Sequence, residues 1–162
     1  MFLEISPIFV NILIDVAIFL FVLVLIIAVG SFFIIKDLQK EYKKVYRINS
    51  KFEIELRKLV NLMYKILSDE ALKPYHDVVI KQLPHEEKRN LLKRIDEVFT
   101  QVETDNPDHS YIQETYENLL ELKRVRDSKI MIFNQKVGMF PFNVYFKLMK
   151  IETFFTFTDI EK

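Results

Sequence analysis

The first long pattern along the chain has no polar face at all. Residues 16–35, VAIFLFVLVLIIAVGSFFII, are 20 consecutive positions without a charge. As a helix at 1.5 Å per residue the stretch is about 30 Å long, the thickness of a bilayer's hydrocarbon core. A helix this apolar on every side is buried in a large protein or in a membrane, and only about 125 residues follow it. A transmembrane helix over 16–35 is therefore expected, with residues 1–15 as a short segment ahead of it.

From Leu38 the pattern becomes one-sided. Apolar residues recur at Leu38, Tyr42, Val45, Phe52, Leu56, Leu59, Met63 and Ile66 in alternating steps of four and three, and Asn49 is the one polar member of the line. Such a seam belongs to an amphipathic helix of heptad period. Nothing breaks the chain between the apolar stretch and the seam, so the two are expected to form one rod. It should run to about Leu72 and end before Pro74, which disfavours helix at Lys73. A lone helix cannot bury its own stripe, so the rod needs a partner from later in the chain or from a second subunit.

Residues 74–83, PYHDVVIKQL, read as a short helix or ordered turn, because Val78, Val79 and Ile80 have strand character but no second strand to pair with. Pro84 suits a first helical position, and Glu86 and Glu87 place acidic groups in the first turn of the helix that follows. Its stripe is Leu91, Leu92, Ile95, Val98, Phe99 and Val102. Residues 104–110, TDNPDHS, are turn formers. The last long helix is expected to open near Pro107, with the line Ile112, Tyr116, Leu119, Lys123, Arg126, Ile130, Phe133, Val137 and Phe140, and to end at Pro141. Lys123 and Arg126 interrupt that line. They either cover its edge with their stems or pair with an acid on the facing helix.

The expected fold is all-α: a single N-terminal transmembrane helix continuing into a long-helix antiparallel bundle over residues 36–141, in the order long, short, long. An aromatic C-terminal tail, residues 142–162, should pack on the bundle or at the membrane interface, because Phe142, Tyr145, Phe146, Phe154, Phe155 and Phe157 are too many to leave in water. If the last helix returns along the rod, Phe133, Val137 and Phe140 face residues 38–67 and bring its end back to the membrane beside Tyr42 and Val45.

Composition narrows the classes of function. The 162 residues carry 23 basic and 23 acidic groups, so nucleic acid is not an implied partner. No cysteine is present, which excludes disulfides, thiol nucleophiles and cysteine metal sites. Residues 1–15 contain Glu4 and Asp15 but no Lys or Arg, and Phe32 to Ile35 do not form a small-residue cleavage site, so an uncleaved anchor is expected rather than a signal peptide. Lys36, Lys40, Lys43, Lys44 and Arg47 follow the apolar stretch, which places the C-terminal domain in the cytoplasm and the N-terminus outside a single-pass cell-membrane protein.

Candidate chemistry is sparse. His76, His85 and His109 form no ligand pair at helical spacing; His109 with Asp105 and Asp108 reads as a capped turn rather than a cation site. Glu86 and Glu87 are sequence neighbours that diverge on a helix, and Arg126, Asp127 and Lys129 are adjacent rather than convergent. Gly30 and Gly138 are isolated and build no phosphate loop; Gly30 allows a close helix contact in a membrane. No catalytic, cofactor or metal site is expected. Asn49 reads either as a buried polar residue that sets register or as a boundary residue facing water. Asn134 and Asn143 flank the Phe-Pro turn, either capping its backbone or forming a docking surface for a membrane partner.

The segment FNQKVGMFPFN, residues 133–143, resembles the aromatic-Asn-x-x-(Ile/Val)-x-x-Phe-Pro-x-Asn signature near the end of the LemA family, through Phe133, Asn134, Val137, Phe140, Pro141 and Asn143. Glu117-Asn118 lies near that family's Glu-Asn pair, and Leu59, Val60 and Glu70 match an earlier segment. The family's Ile-Pro is replaced by Leu56, Arg57 and Lys58, and Arg126-Asp127 stands where it repeats a Tyr-Asn pair. The resemblance is that of a divergent member. It implies an N-terminal membrane helix followed by long helices, and no mechanism, because the family has no established activity.

The expected function is thus a membrane-anchored interaction or scaffold protein without catalytic activity. Its expected partners are the lipid bilayer and a membrane protein or a second copy of itself. The alternatives are an accessory component of a membrane enzyme or protease system, and a membrane-remodelling helical protein. A cleft with buried, strongly perturbed acids or histidines would favour an enzyme.

Overall fold

Helix α1, Pro7–Leu67, carries both patterns in one unbroken element of 61 residues. No proline or glycine lies between its two halves to end it. The computed structural model describes residues 7–67, 70–102 and 109–157, and every regular element among them is helical. Two short 3₁₀ turns, Glu70–Leu72 and Ile80–Gln82, flank helix α2, Lys73–His76. Helix α3, His85–Phe99, helix α4, Ser110–Gly138, and helix α5, Phe142–Met149, follow.

The halves of α1 differ in burial. From Phe9 to Phe33 the large apolar side chains are 42–67% exposed. An 18-residue window there has mean hydropathy 3.3 and is nowhere buried, long and apolar enough to cross a membrane. The helix begins at Pro7, so helical backbone already covers residues 7–15, while residues 1–6 lie outside the described part. Beyond Lys36 the seam behaves as its period requires. Leu38, Val45, Phe52, Leu56, Leu59 and Met63 are buried, Tyr42 and Asn49 are half-buried, and the line fails only at Ile66, which is exposed.

The rod is shorter than expected, with α1 stopping at Leu67. Leu72, buried in the 3₁₀ turn after it, belongs to the core but not to the helix. Residues 74–83 divide between α2 and the second 3₁₀ turn; Ile80 is buried while Val78 and Val79 point outward. Pro84 is the residue before α3 and not its first helical position. The α3 stripe is as the sequence implies: Leu91, Leu92, Ile95, Val98 and Val102 are buried, and Phe99 stacks on Tyr116 of α4 at 3.8 Å between ring centres. Most of the turn at 104–110, including Asp105, Pro107 and Asp108, lies outside the described residues, and α4 is helical from Ser110.

Helix α4 is the main partner of α1. Its contacts move to lower numbers on α1 as α4 advances: Tyr111 lies under the Lys58 ammonium at 4.7 Å, Arg126 meets Asn49, and the Phe133 and Tyr42 rings are 6.2 Å apart. Lys136 bonds Asp37 at 2.5 Å, and Tyr145 in α5 shares a hydrogen bond of 2.5 Å with Ser31. The apolar interior forms two clusters. The distal one gathers Phe52 to Met63 of α1, the α3 stripe, Ile112 and Leu119 of α4, and Phe157. The proximal one, next to the apolar stretch, holds Leu38, Val45, Ile130, Phe133 and Val137, wrapped by half-buried residues of α5 and beyond.

The expected helical seam ends one position early. Phe133 and Val137 are buried, but Phe140 is 82% exposed. The reason is local: α4 stops at Gly138, Met139 is extended (ψ 147°), and Phe140 falls in the turn before α5, where helical periodicity no longer sets its direction.

Candidate functional site

After α5 the chain reverses at Lys150, whose left-handed conformation (φ 50°) closes the helix, and residues 151–157 continue without regular structure. This strap runs back along α4 toward α3. The strap carries Phe154, Phe155 and Phe157 on a backbone outside any helix, so it needs both apolar and polar partners, and a set of side chains supplies them.

The central one is Arg126, buried in α4. Its Nε donates to Asn49 Oδ1 at 2.6 Å, its Nη1 to Asp127 Oδ1 at 2.6 Å, and its Nη2 to the Phe155 carbonyl at 3.0 Å. Its guanidinium also lies 4.3 Å from the Phe157 ring centre and 5.4 Å from that of Phe52. Asp127, equally buried, accepts the Phe157 backbone N–H at 3.1 Å on its other oxygen. Burial pulls the Arg126 pKa down, and the Asp127 carboxylate opposes the shift. A buried charge requires this degree of pairing, because desolvation is otherwise too costly. One turn from Asn49, Glu53 is buried and accepts Lys88 Nζ of α3 at 2.6 Å.

Two of the three polar interruptions in the heptad lines, Asn49 on the rod and Arg126 on the last helix, therefore meet each other. Arg126 pairs with the acid beside it in sequence, and the facing helix contributes an amide. Asn49 acts as the polar seam residue. Lys123 is half-buried. Sequence adjacency hid the convergence of Arg126 and Asp127, because the groups that draw them together are the backbone of residues 155 and 157.

The outer side of the strap borders an open groove of ≈ 390 Å³ lined by His85, Glu86, Arg89, Asn134, Phe154, Phe155 and Thr156. Asn134 Nδ2 donates to the Phe154 carbonyl at 3.1 Å, so this motif residue holds the strap. His85 stacks on Phe157 at 4.7 Å with 7° between planes. Its pKa is lowered, first by burial and then by the positive charges of Arg126 and Arg89. On α4, Tyr116 donates to Asp96 at 2.9 Å; burial, aided by that carboxylate, pushes its pKa up to about 12.

The six motif residues thus separate into three roles. Phe133 and Val137 pack in the proximal cluster, and Asn134 ties down the strap. Phe140, Pro141 and Asn143 form the corner before and into α5; Asn143 Oδ1 is buried with no hydrogen-bond partner among the described residues. Of the histidines, His76 lies beside Tyr64 and Asp77, and His85 beside the strap. Among the described residues no group of three or more His, Asp or Glu is placed to hold a metal ion. Chemically, this arrangement clamps backbone: the buried carboxylates Asp127 and Glu53 each face a cation.

No protein-family model, no curated protein and no solved structure matches the chain.

Proposed function

We propose that this is a LemA-like, single-pass membrane protein whose helical domain, an antiparallel bundle, is an interaction scaffold in the cytoplasm without catalytic activity. The observation that carries the proposal is α1 itself. Its first half exposes apolar side chains on every side, and it joins without a break to a half that packs as a bundle helix. The descending order of α1 partners along α4 supports the antiparallel arrangement. The bond from Tyr145 to Ser31 supports a retained anchor over a cleaved leader, because the folded domain holds the apolar stretch. Lys36, Lys40, Lys43, Lys44 and Arg47 favour a cytoplasmic domain. The scaffold reading is supported by the clasp, whose ionisable groups are used against one another and against the strap backbone.

Because the chain has no cysteine, single-cysteine labelling tests the topology cleanly. In intact cells a membrane-impermeant maleimide should modify Ser6→Cys and reach Ser128→Cys only after lysis. The opposite pattern overturns the orientation, and extraction of the unmodified protein by alkaline carbonate overturns the anchor. Gentle detergent extraction should yield the protein with a stoichiometric partner; recovery of the protein alone overturns the scaffold role.

A further inference from the structure

Helix α5 is apolar on both faces. Phe142, Tyr145, Phe146 and Met149 pack on the proximal cluster. On the other side Val144 and Leu148, one turn apart, are exposed, Leu148 to 72%, and exposed Met139 and Phe140 precede them. Between residues 137 and 149 the sole charged residue is Lys147. A short helix with one apolar face on its own domain leaves the other face to be covered, and its position says by what. Tyr145 bonds Ser31, which lies five residues before Lys36, the first charge after the apolar stretch. At 1.5 Å per residue that is about 7 Å inside the end of the stretch. Phe32 and Phe33 of α1 are exposed at the same level, and Lys36, Lys147 and Lys150 are exposed around it.

We propose that α5 is an in-plane membrane helix, with Phe140, Val144 and Leu148 seated in lipid at the boundary of acyl chains and headgroups and Lys147 and Lys150 directed to lipid phosphates. The inference rests on α1 being a membrane span. It makes the domain touch the bilayer at two places, so that the bundle is held at a set height and tilt instead of swivelling on one helix. Apolar area buried in the interface and attraction of lysines to anionic lipid are the two terms that bind such helices. Phe146, which packs edge-on against Phe133 at 6.1 Å, belongs to the protein side of α5 and not to the lipid side.

The chain lacks tryptophan, so single-tryptophan reporters are unambiguous. Full-length Leu148→Trp, Leu20→Trp and Ile132→Trp, all at exposed positions, are reconstituted in vesicles of phosphatidylcholine and phosphatidylglycerol containing lipids brominated at different acyl depths. Trp at 148 should emit to the blue and be quenched most by shallow bromines, Trp at 20 by deep ones, and Trp at 132 by neither. If position 20 is quenched and position 148 is not, α5 lies off the membrane and the span reading stands. If neither is quenched, the span reading fails as well. A blue shift at 148 that disappears on diluting protein into excess lipid assigns the face to a second copy and overturns the lipid contact. Loss of quenching at 148 in Lys147→Glu/Lys150→Glu, with position 20 unchanged, is the expected signature of the phosphate contacts.

Discussion

The distal and proximal clusters solve the same packing problem with different materials. At the distal end α1, α3 and α4 surround aliphatic residues that are almost wholly buried, including Leu56, Leu59, Met63, Leu91, Ile95 and Ile112. At the proximal end only two long helices face each other, and the missing third is replaced by aromatic rings: Tyr42, Phe133, Phe146 and Phe154 contact one another at 5.4–6.3 Å. Rings supply large area per residue, and their tilted and edge-on contacts add to it, so a short helix and a strap suffice where a full helix is lacking. Leu38, Val45, Ile130, Phe133 and Val137 are sealed, while the aromatic residues around them are only half-buried. The proximal end is thus the more open of the two, and it is the end beside the apolar half of α1. The Arg126 clasp lies between the clusters and ties the strap to both.

The largest expected effect is at the distal end. Phe52→Ala should destabilise the domain by about 3–5 kcal/mol, since Phe52 is fully buried against Phe157 and Arg126. Phe133→Ala should fall at the low end of that range, because half-buried rings can collapse into the space. Urea unfolding of the full chain in detergent micelles, followed by circular dichroism, measures both; equal losses would erase the distinction between the clusters.

Next is the link between them. Arg126→Ala leaves the Asp127 carboxylate buried without its cation and should cost about 3 kcal/mol, with the Phe157 amide losing its protection from hydrogen exchange before the α4 amides do. Uniform loss of protection along the chain would show that the strap is not a separable unit.

A smaller effect follows from His85. Its folded-state pKa lies below the unfolded value of about 6.5, so in the window between them the unfolded chain binds the proton more tightly. The stability due to neutral His85 is present above about pH 6.5 and is lost as the pH falls through the folded pKa. Thermal midpoints at pH 7.5 and 5.5 should therefore fall more for the wild type than for His85→Gln. An equal fall in both would remove His85 from the acid response.

The smallest effect is the sharpest on the motif. Phe140→Ala should change stability by no more than about 0.5 kcal/mol, as expected for an exposed site, whereas burial in the seam would have made it one of the costliest substitutions. A loss of several kcal/mol would return Phe140 to the core.

Much of the architecture was legible because periodicity is a local property. The apolar stretch, the rod seam from Leu38 to Met63, and the α3 stripe follow from spacing alone, and the structure buries or exposes them accordingly. A heptad line states which face is buried but not which residue it meets, since that depends on the register between helices far apart in sequence. Asn49 and Arg126 were each visible as a break in a line, 77 residues apart; only the packing of α4 on α1 made them one site. The strap was legible as aromatic excess, but its path was set by Asp127, Arg126 and Asn134 holding the backbone of residues 154–157. Phe140 marks the boundary between the two kinds of information. Its spacing from Phe133 and Val137 is that of a buried helical position, but the chain leaves the helix at Gly138, so the folded backbone's turn and not the period decided which way it points.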